Sequence, residues 1–475
     1  MIQGRTFEEL TLIEAVYDHG QEHIFRFWDS LIDRGKDALM QQVAGIDFSL
    51  LEQHRALLLK GADAAGRQQP EPAPYIPVPN DEPGRKRAAE ARRIGEAAIR
   101  AGKIAAFLVA GGQGTRLGFD GPKGCFPIGP VSGKTLFQMH AEKILAASRE
   151  YGVAIPWAIM TSETNDAATR EFFEKHAFFG LDPENVVFFS QRMIPALSGD
   201  GKMILDRKDH IFMNPNGHGG SLLAIQESGT LAAFEKRGIE ILSYFQVDNV
   251  LIRIIDPVFI GYHIQDGAQM SSKMVQKSHP GEKVGVFGLK DGNLAVIEYS
   301  DLSRKDAEAR LPNGSLKYGA GSIAIHLLNT DFVRREVEGG FRLPYHRAFK
   351  KVPCLDESGT FVEPESPNAW KFETFIFDAL ADTSSSVVME IVREKEFSPV
   401  KNAEGSDSPD TARRDLANYY AGWLEAAGVS VPRNEQGDSA VPVEISPLFA
   451  PDREAFIKKA GSREFVLNEG LYITE

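Results

Sequence analysis

Between Lys103 and Val247, short apolar runs alternate with amphipathic stretches, and this alternation leaves few folds open. Residues 104–110, 155–161, 186–190 and 239–247 read as strands, and 136–148, 166–176 and 221–228 as helices. A strand that is apolar along its whole length must be covered on both faces, as in a parallel sheet with helices on either side. The expectation is an α/β fold built on a Rossmann-like, mostly parallel sheet with helices on both faces. Ligands of such sheets bind beyond the carboxyl ends of the strands. The loop that follows 104–110 and the pair Asp248-Asn249 that follows 239–247 should therefore meet at one edge.

Outside this stretch the pattern changes. Residues 6–59 show helical periodicity, with Leu10, Ile13, Val16, Ile24, Phe27 and Leu31 recurring at helical spacing. Residues 63–83 carry a proline series that reads as an extended connector, and a basic, alanine-rich helix should cover 85–101. Short strands between glycine turns over 270–299 suggest an antiparallel insertion above the site. A helix over 411–427 and short strands near 441–445 and 465–473 suggest a small C-terminal domain. The division expected is a helical lobe with connector over 1–100, a catalytic domain over 101–385 and the small domain over 386–475.

A chain of 475 residues with 43% hydrophobic content buries a large core, and its formal net charge of −13 argues against nucleic acid or an anionic membrane as partner. An anionic substrate must then be met by local cations. Cys125 and Cys354 are too few for a metal quartet or a disulfide framework, which predicts a reducing, cytoplasmic location. Neither a signal-peptide region at residues 1–10 nor a membrane-spanning run near residue 104 is read.

The first strand runs directly into Gly111-Gly112-Gln113-Gly114-Thr115-Arg116-Leu117-Gly118, followed by Pro122-Lys123. Glycines let backbone N–H groups approach phosphate oxygens, and Arg116 and Lys123 add charge against the anion. The spacing is not that of a dinucleotide fingerprint, because three residues separate Gly114 from Gly118. Gly129 to Gly133 lacks one residue of a Walker loop, so Gly133-Lys134-Thr135 reads as a turn with Thr135 capping the next helix. Cys125 reads as a small buried hydrophobe, not a nucleophile.

Further motifs follow in order: Phe189-Ser190-Gln191 with Pro195; Pro215-Asn216-Gly217-His218-Gly219-Gly220; Val247-Asp248-Asn249; Val296-Ile297-Glu298-Tyr299-Ser300; Phe375-Ile376-Phe377-Asp378; and Glu396-Phe397-Ser398-Pro399-Val400-Lys401-Asn402. Together with the glycine loop this series resembles the eukaryotic-type UDP-sugar pyrophosphorylases, most of all their UDP-N-acetylhexosamine branch, from the N-terminal helices to about Asp415. The resemblance implies a uridylyltransferase that forms UDP-N-acetylglucosamine and pyrophosphate from UTP and N-acetylglucosamine 1-phosphate with Mg²⁺.

It also implies roles. Arg116, Lys123 and Lys401 would act on the phosphates, Lys401 only when the domains approach. Leu108, Ala110, Gly111, Gly112, Gly114, Thr115, Gln191 and Gly217 would hold the nucleotide, with Gln191 and the Gly217 backbone on the uracil edge. His218, Gly219, Glu298, Ser322, Phe375 and Phe377 would border the sugar, the two phenylalanines sharing one face of an extended segment. Asp248 would hold the metal, since a lone carboxylate ending an apolar strand is costly without a partner.

Plainer alternatives stand beside these: a surface ion pair for Arg116, a solvated lysine for Lys401, a turn cap for Asp248, a strand-end surface residue for Gln191, and core packing for the phenylalanines. The sequence departs from the branch pattern where Asn216 replaces Asp, His218 replaces Asn and Ser322 replaces Asn. Its Gly-His-Gly form resembles UDP-glucose and broad-specificity UDP-sugar pyrophosphorylases. Those enzymes, an inactive UDP-sugar-binding protein, and a kinase disfavoured by the missing Walker spacing are the rival readings.

Overall fold

A computed structural model describes residues 2–59, 70–461, 463–467 and 469–474. The chain forms two compact units: one of Met1–Gln68, Gln191–Gly220 and Leu343–Ile376, the other of Gln69–Ser190, Ser221–Arg342 and Phe377–Glu475. These divisions follow packing, not the sequence segments 1–100, 101–385 and 386–475.

The second unit holds a ten-stranded sheet. Its strands are β1 (Glu71–Pro72), β2 (Ile104–Val109), β3 (Trp157–Thr161), β4 (Val186–Ser190), β5 (Ile241–Gln246), β6 (Met270–Gln276), β7 (Val286–Lys290), β8 (Asn293–Ile297), β9 (Ala320–Asn329) and β10 (Ser386–Glu390). The order is β1-β7-β9-β5-β2-β3-β4, with β6 pairing β9 and β10 and with β8 pairing β7. The heart of the sheet, β4-β3-β2-β5, is parallel as expected. Strands β2 and β3 are buried along nearly their whole length, which is why their sequences carry apolar residues without alternation.

The strands expected as an insertion over 270–299 extend this same sheet. Ten-residue β9 runs antiparallel to β5, and its length lets β6 and β7 pair along it. Of the connector expected over 63–83, residues 63–69 lie outside the described residues. From Pro70 the chain pairs briefly with β7, and Asp81 caps the helix Glu82–Arg100 by accepting from the Gly84 N–H.

That helix crosses the helix Pro257–Gln265 at unusually short range. A Cβ on Gly95 would lie 1.9 Å from the Pro257 carbonyl oxygen, and one on Gly261 would lie 1.7 Å from that of Ala91. Only glycine allows this contact.

The described residues of the C-terminal segment pack into the core of the sheet. Leu416, Tyr420, Trp423, Leu424 and Phe456 belong to the same apolar cluster as Ile144, Ile252, Ile254 and the sheet. The helix Pro409–Ala426 opens with a Ser408/Thr411 capping box, and Val443–Ile445 pairs in parallel with Leu471–Ile473. In the first unit, three N-terminal helices (Phe7–Asp18, Asp33–Ala44 and Phe48–Leu59) bury Ile13, Val16, Leu39, Val43 and Leu51 against Ile194, Leu197, Leu205 and Phe372. Their apolar face is thus covered by residues far along the chain.

Gly261→Ala should force the two crossing helices apart. Overpacking of this kind costs about 1–3 kcal/mol, so thermal unfolding should begin several degrees lower than in the parent protein. An unchanged melting curve would mean that the helix pair separates freely.

Candidate active site

Strand β2 has β3 on one side and β5 on the other, so the strand order reverses there, the place where sheets of this kind bind ligands. The register Val109↔Gln246 brings both strands to their ends together, and the Val247 N–H donates to the Val109 carbonyl at 3.2 Å. The glycine loop and Asp248 therefore leave the sheet side by side. Across 125 residues of chain, Lys123 Nζ meets Asp248 Oδ2 at 3.2 Å.

The loop closes on itself. The Gly114 N–H donates to the Gly121 carbonyl (2.9 Å) and the Lys123 N–H to that of Gly112 (3.1 Å). Leu108 and Ala110 are buried at its root, Gly111 is half-buried, and a Cβ on Gly112 would meet nothing within 4 Å. Thr115 and Arg116 lie on an exposed 3₁₀ turn, and Arg116 makes no ion pair with a described residue. Cys125 has its thiol pushed up to about 12 by burial, in keeping with a packing role. Thr135 caps the helix Leu136–Tyr151 by accepting from the Gln138 N–H, and Lys134 pairs with Glu142 at 2.7 Å.

Two side chains that sequence reasoning missed brace the loop from the turn after β3. Asn165, nearly wholly buried, donates to the carbonyls of Ala110 (2.9 Å) and Gly112 (3.3 Å). Ser162 Oγ donates to that of Gly111 at 2.8 Å. Their only sequence signal is position, as polar residues on the connection leaving the neighbouring strand.

Asp248 is only 9% exposed, and its main chain is held from several directions. The Val400 N–H donates to its carbonyl (3.0 Å), the Ser398 N–H donates to Asn249 Oδ1 (3.0 Å), and Asn249 Nδ2 donates to the Glu396 carbonyl (2.8 Å). From the helix Leu136–Tyr151, His140 Nε2 bonds the Val247 carbonyl (2.9 Å), and Lys143 Nζ donates to those of Val250 (2.5 Å) and Ile252 (3.0 Å). Burial pulls the His140 imidazole down to about 3, so the neutral ring donates; it also pulls the Lys143 ammonium down to about 7. Nearby, wholly buried Lys273 lies between Asp256 (2.7 Å) and Glu396. Asp256 also caps the helix Pro257–Gln265, its side chain accepting from the Val258 N–H.

The contact between Val400 and Asp248 brings Lys401 beside the turn that carries Asp248. Asp248, Lys401, Glu298, Ser322 and Phe377 already line one cavity of about 140 Å³, which Lys283 also borders. A bulge in β9 shapes this cavity: pairing with β6 jumps from Ser272↔His326 to Met274↔Ser322, and Ala324 between them takes φ +54°. Residues 322–325 are thereby turned onto the cavity wall, with the Ser322 N–H donating to Gly285 at 2.8 Å.

Phe375 and Phe377 do not share an extended face. Ile376–Asp382 coils as 3₁₀ turns, Ile376 being fully buried, so Phe377 reaches the cavity while Phe375 belongs to the first unit. There Phe375 stacks on His346 with centroids 4.6 Å apart. Gly217 has φ +86° and its Cβ would lie 2.4 Å from the Thr374 oxygen, while the Gly219 N–H donates to that oxygen at 2.9 Å. His218 Nδ1 accepts from the Ile376 N–H at 3.2 Å, and burial beside His346 pulls its ring down to about 4. Gln191, also in this unit, is 8% exposed and is no ordinary surface residue.

The sequence pattern of the UTP–glucose-1-phosphate uridylyltransferase family matches residues 81–407. Human UDP-N-acetylhexosamine pyrophosphorylase-like protein 1 is 40% identical over 94% of each chain. The UDP-N-acetylglucosamine pyrophosphorylase of Saccharomyces cerevisiae is 38% identical over 87% of this chain and 90% of its own. A crystal structure of the uridine diphosphate N-acetylglucosamine pyrophosphorylase from Trypanosoma brucei superposes with a TM-score of 0.82 at 28% identity, covering 100% of this chain and 99% of that one.

Asn165→Ala removes two hydrogen bonds that hold the glycine loop, each worth about 1 kcal/mol. The KM for nucleotide should rise by roughly tenfold, with kcat at saturation changed much less. Steady-state kinetics over a nucleotide titration will check this, and an unchanged KM would deny the brace a role in binding.

Proposed function

The chain belongs to the UTP–glucose-1-phosphate uridylyltransferase family and is a nucleotidyltransferase; within that family, we propose, it joins UTP to N-acetylglucosamine 1-phosphate, giving UDP-N-acetylglucosamine and pyrophosphate. The observation that carries this reading is the Lys123–Asp248 pair at the point of strand reversal, with Lys401 and Glu298 on the same cavity as Asp248. The acetamido sugar is supported by what the human and yeast relatives are named for.

A phosphate oxygen of the sugar 1-phosphate attacks the α-phosphorus of UTP in line, and the bond to the β-phosphate oxygen breaks as pyrophosphate leaves. No side-chain nucleophile is needed. The obstacle is repulsion between two polyanions, about 4 kcal/mol for each pair of unit charges about 4 Å apart at an effective dielectric of about 20. Cations must therefore be in place before reaction, which makes positioning and electrostatics the protein's main contribution. Exposed Arg116 suits the incoming triphosphate, Lys123 the charge growing on pyrophosphate, and Lys401 the α-phosphate or the sugar phosphate. Glu298 accepts hydrogen bonds from sugar hydroxyls.

Asp248 suits Mg²⁺. Lys123 engages Oδ2, and among the described residues no group of three or more His, Cys, Asp or Glu could enclose a metal. An ion that takes most of its ligands from phosphates and water, as Mg²⁺ does, fits a single carboxylate. When bound it would neutralise phosphate charge beside the lysines.

No helix among the described residues is long and apolar enough to cross a membrane. Both cysteines are free, which supports a cytoplasmic location. The departures at His218 and Ser322 support a looser sugar preference than a strict acetamido enzyme would have, because Ser322 offers one hydroxyl where the branch pattern has an amide.

Pyrophosphate release across nucleotides and sugar 1-phosphates tests the reading. UTP should be preferred over ATP, CTP and GTP, and N-acetylglucosamine 1-phosphate over glucose 1-phosphate by a modest factor that Ser322→Asn with His218→Asn enlarges. Turnover of glucose 1-phosphate alone would replace the acetamido assignment.

Activity should also require a divalent metal. Asp248→Asn should cut kcat and raise the Mg²⁺ concentration needed for half-maximal rate, with little change in melting temperature. Full activity of that variant at low Mg²⁺ would remove Asp248 from the metal site. Lys123→Ala and Lys401→Ala should each lower kcat/KM by at least roughly tenfold, the worth of a charge-assisted hydrogen bond of about 1.5–3 kcal/mol.

A further inference from the structure

The turn that joins β6 to β7 folds around one carboxylate, that of Glu282. Glu282 Oε2 accepts from the Ser278 N–H (2.7 Å) and from Ser278 Oγ (3.0 Å), and the Glu282 N–H donates to the His279 carbonyl (3.1 Å). Its other oxygen, Oε1, accepts from Arg393 Nη2 at 2.7 Å, and the same nitrogen donates to the Gln276 carbonyl at 3.3 Å. The side chains of Arg393 and Glu282 are 29% and 15% exposed, so the pair is less screened than one at the surface. Partial burial by itself would push the Glu282 carboxyl up, but the Ser278 N–H and Arg393 hold it below its ordinary value.

The two residues stand at the roots of two segments that line the cavity of Asp248, Glu298 and Lys401. After Glu282, the Val284 N–H donates to the Glu282 carbonyl (2.9 Å), and Val284 and Gly285 border the cavity. The Gly285 carbonyl accepts from the Ser322 N–H at 2.8 Å, and a Cβ on Gly285 would lie 3.2 Å from Glu298 Oε1. Gly285 thus abuts both residues assigned to the sugar. Arg393, for its part, begins the strap that leads to Lys401, and its guanidinium lies over the Phe397 ring at 5.4 Å. Phe397, Pro399 and Lys401 border the same cavity.

We propose that the Arg393–Glu282 pair positions the sugar side of the active site, fixing Val284 and Gly285, and with them Glu298 and Ser322, against the strap that carries Lys401. Glu282 and Arg393 are positioning residues, because neither lines the cavity and each acts through neighbours that do. This role, which rests on the uridylyltransferase reading, sets the sugar groups relative to the phosphate groups. Breaking the pair releases the turn and Gly285. The strap keeps its own ties to Asn249, and the glycine loop keeps its brace from Ser162 and Asn165.

Initial rates with each substrate titrated separately test the role, using whichever of N-acetylglucosamine 1-phosphate and glucose 1-phosphate the parent protein turns over better. Glu282→Gln keeps the shape of the side chain and removes the charge facing Arg393. It should raise the sugar 1-phosphate KM by roughly tenfold, with the UTP KM and the saturated kcat within about threefold of the parent. Arg393→Ala should do the same, and the double variant Glu282→Gln/Arg393→Ala should be no worse than either single one, because all three remove one interaction. Arg393→Lys, which keeps a cation beside Glu282, should recover most of the loss.

An unchanged sugar KM in Glu282→Gln, equal rises in the sugar and UTP KM values, or losses that add in the double variant would each overturn the proposal. A parent protein that turns over glucose 1-phosphate alone would replace the acetamido assignment and leave the positioning role to be read from that sugar, so the two failures are distinguishable.

Discussion

The contact between Lys123 and Asp248 is the constraint around which the rest of this molecule is arranged. Two opposite charges, both largely withdrawn from water, stay favourable only if each is held where the other needs it. The glycine loop delivers one and the end of β5 delivers the other, and they meet because β2 and β5 are parallel neighbours in register. The helix Leu136–Tyr151, which follows the loop in sequence, returns to grip the chain around Asp248 through His140 and Lys143. The same segment thus helps set both partners of the pair.

Behind the turn, the strap from Glu396 to Lys401 completes the fixing. Its main chain bonds Asp248 and Asn249, while the Glu396 side chain, with Asp256, compensates wholly buried Lys273. A buried lysine without those carboxylates would be strongly disfavoured as a cation. Burial and its compensation here trade stability for a defined position. That definition holds Lys123 and Asp248 in fixed relation, as electrostatic catalysis under the proposed reaction would require.

The unit boundaries have a similar origin. Three N-terminal helices carry an apolar face that their own sequence cannot cover, so Ile194, Leu197, Leu205 and Phe372 complete their core. The C-terminal helix has the same need and joins the cluster of the sheet. Apolar area that must be removed from water selects its partners by availability in space, and segment order along the chain does not reveal them.

Local chemistry made much of this legible in advance. Continuous apolar runs dictated buried parallel strands, Thr135 declared a helix start, and a glycine loop bearing Arg116 and Lys123 marked the turn between strand and helix; each depends on residues within one element. The resemblance carried by short ordered motifs extended that reading to Asp248, Glu298 and Lys401. What only the tertiary structure decided involves distant residues: the pairing of Lys123 with Asp248, the brace from Ser162 and Asn165, the grip of His140 and Lys143, and the coil that separates Phe375 from Phe377. The last misled because alternate residues share a face only while the backbone stays extended, and buried Ile376 begins a 3₁₀ turn instead. A linear sequence shows which groups can pair and cap nearby, but buried carbonyls and charges take whichever donor the packed chain brings within reach.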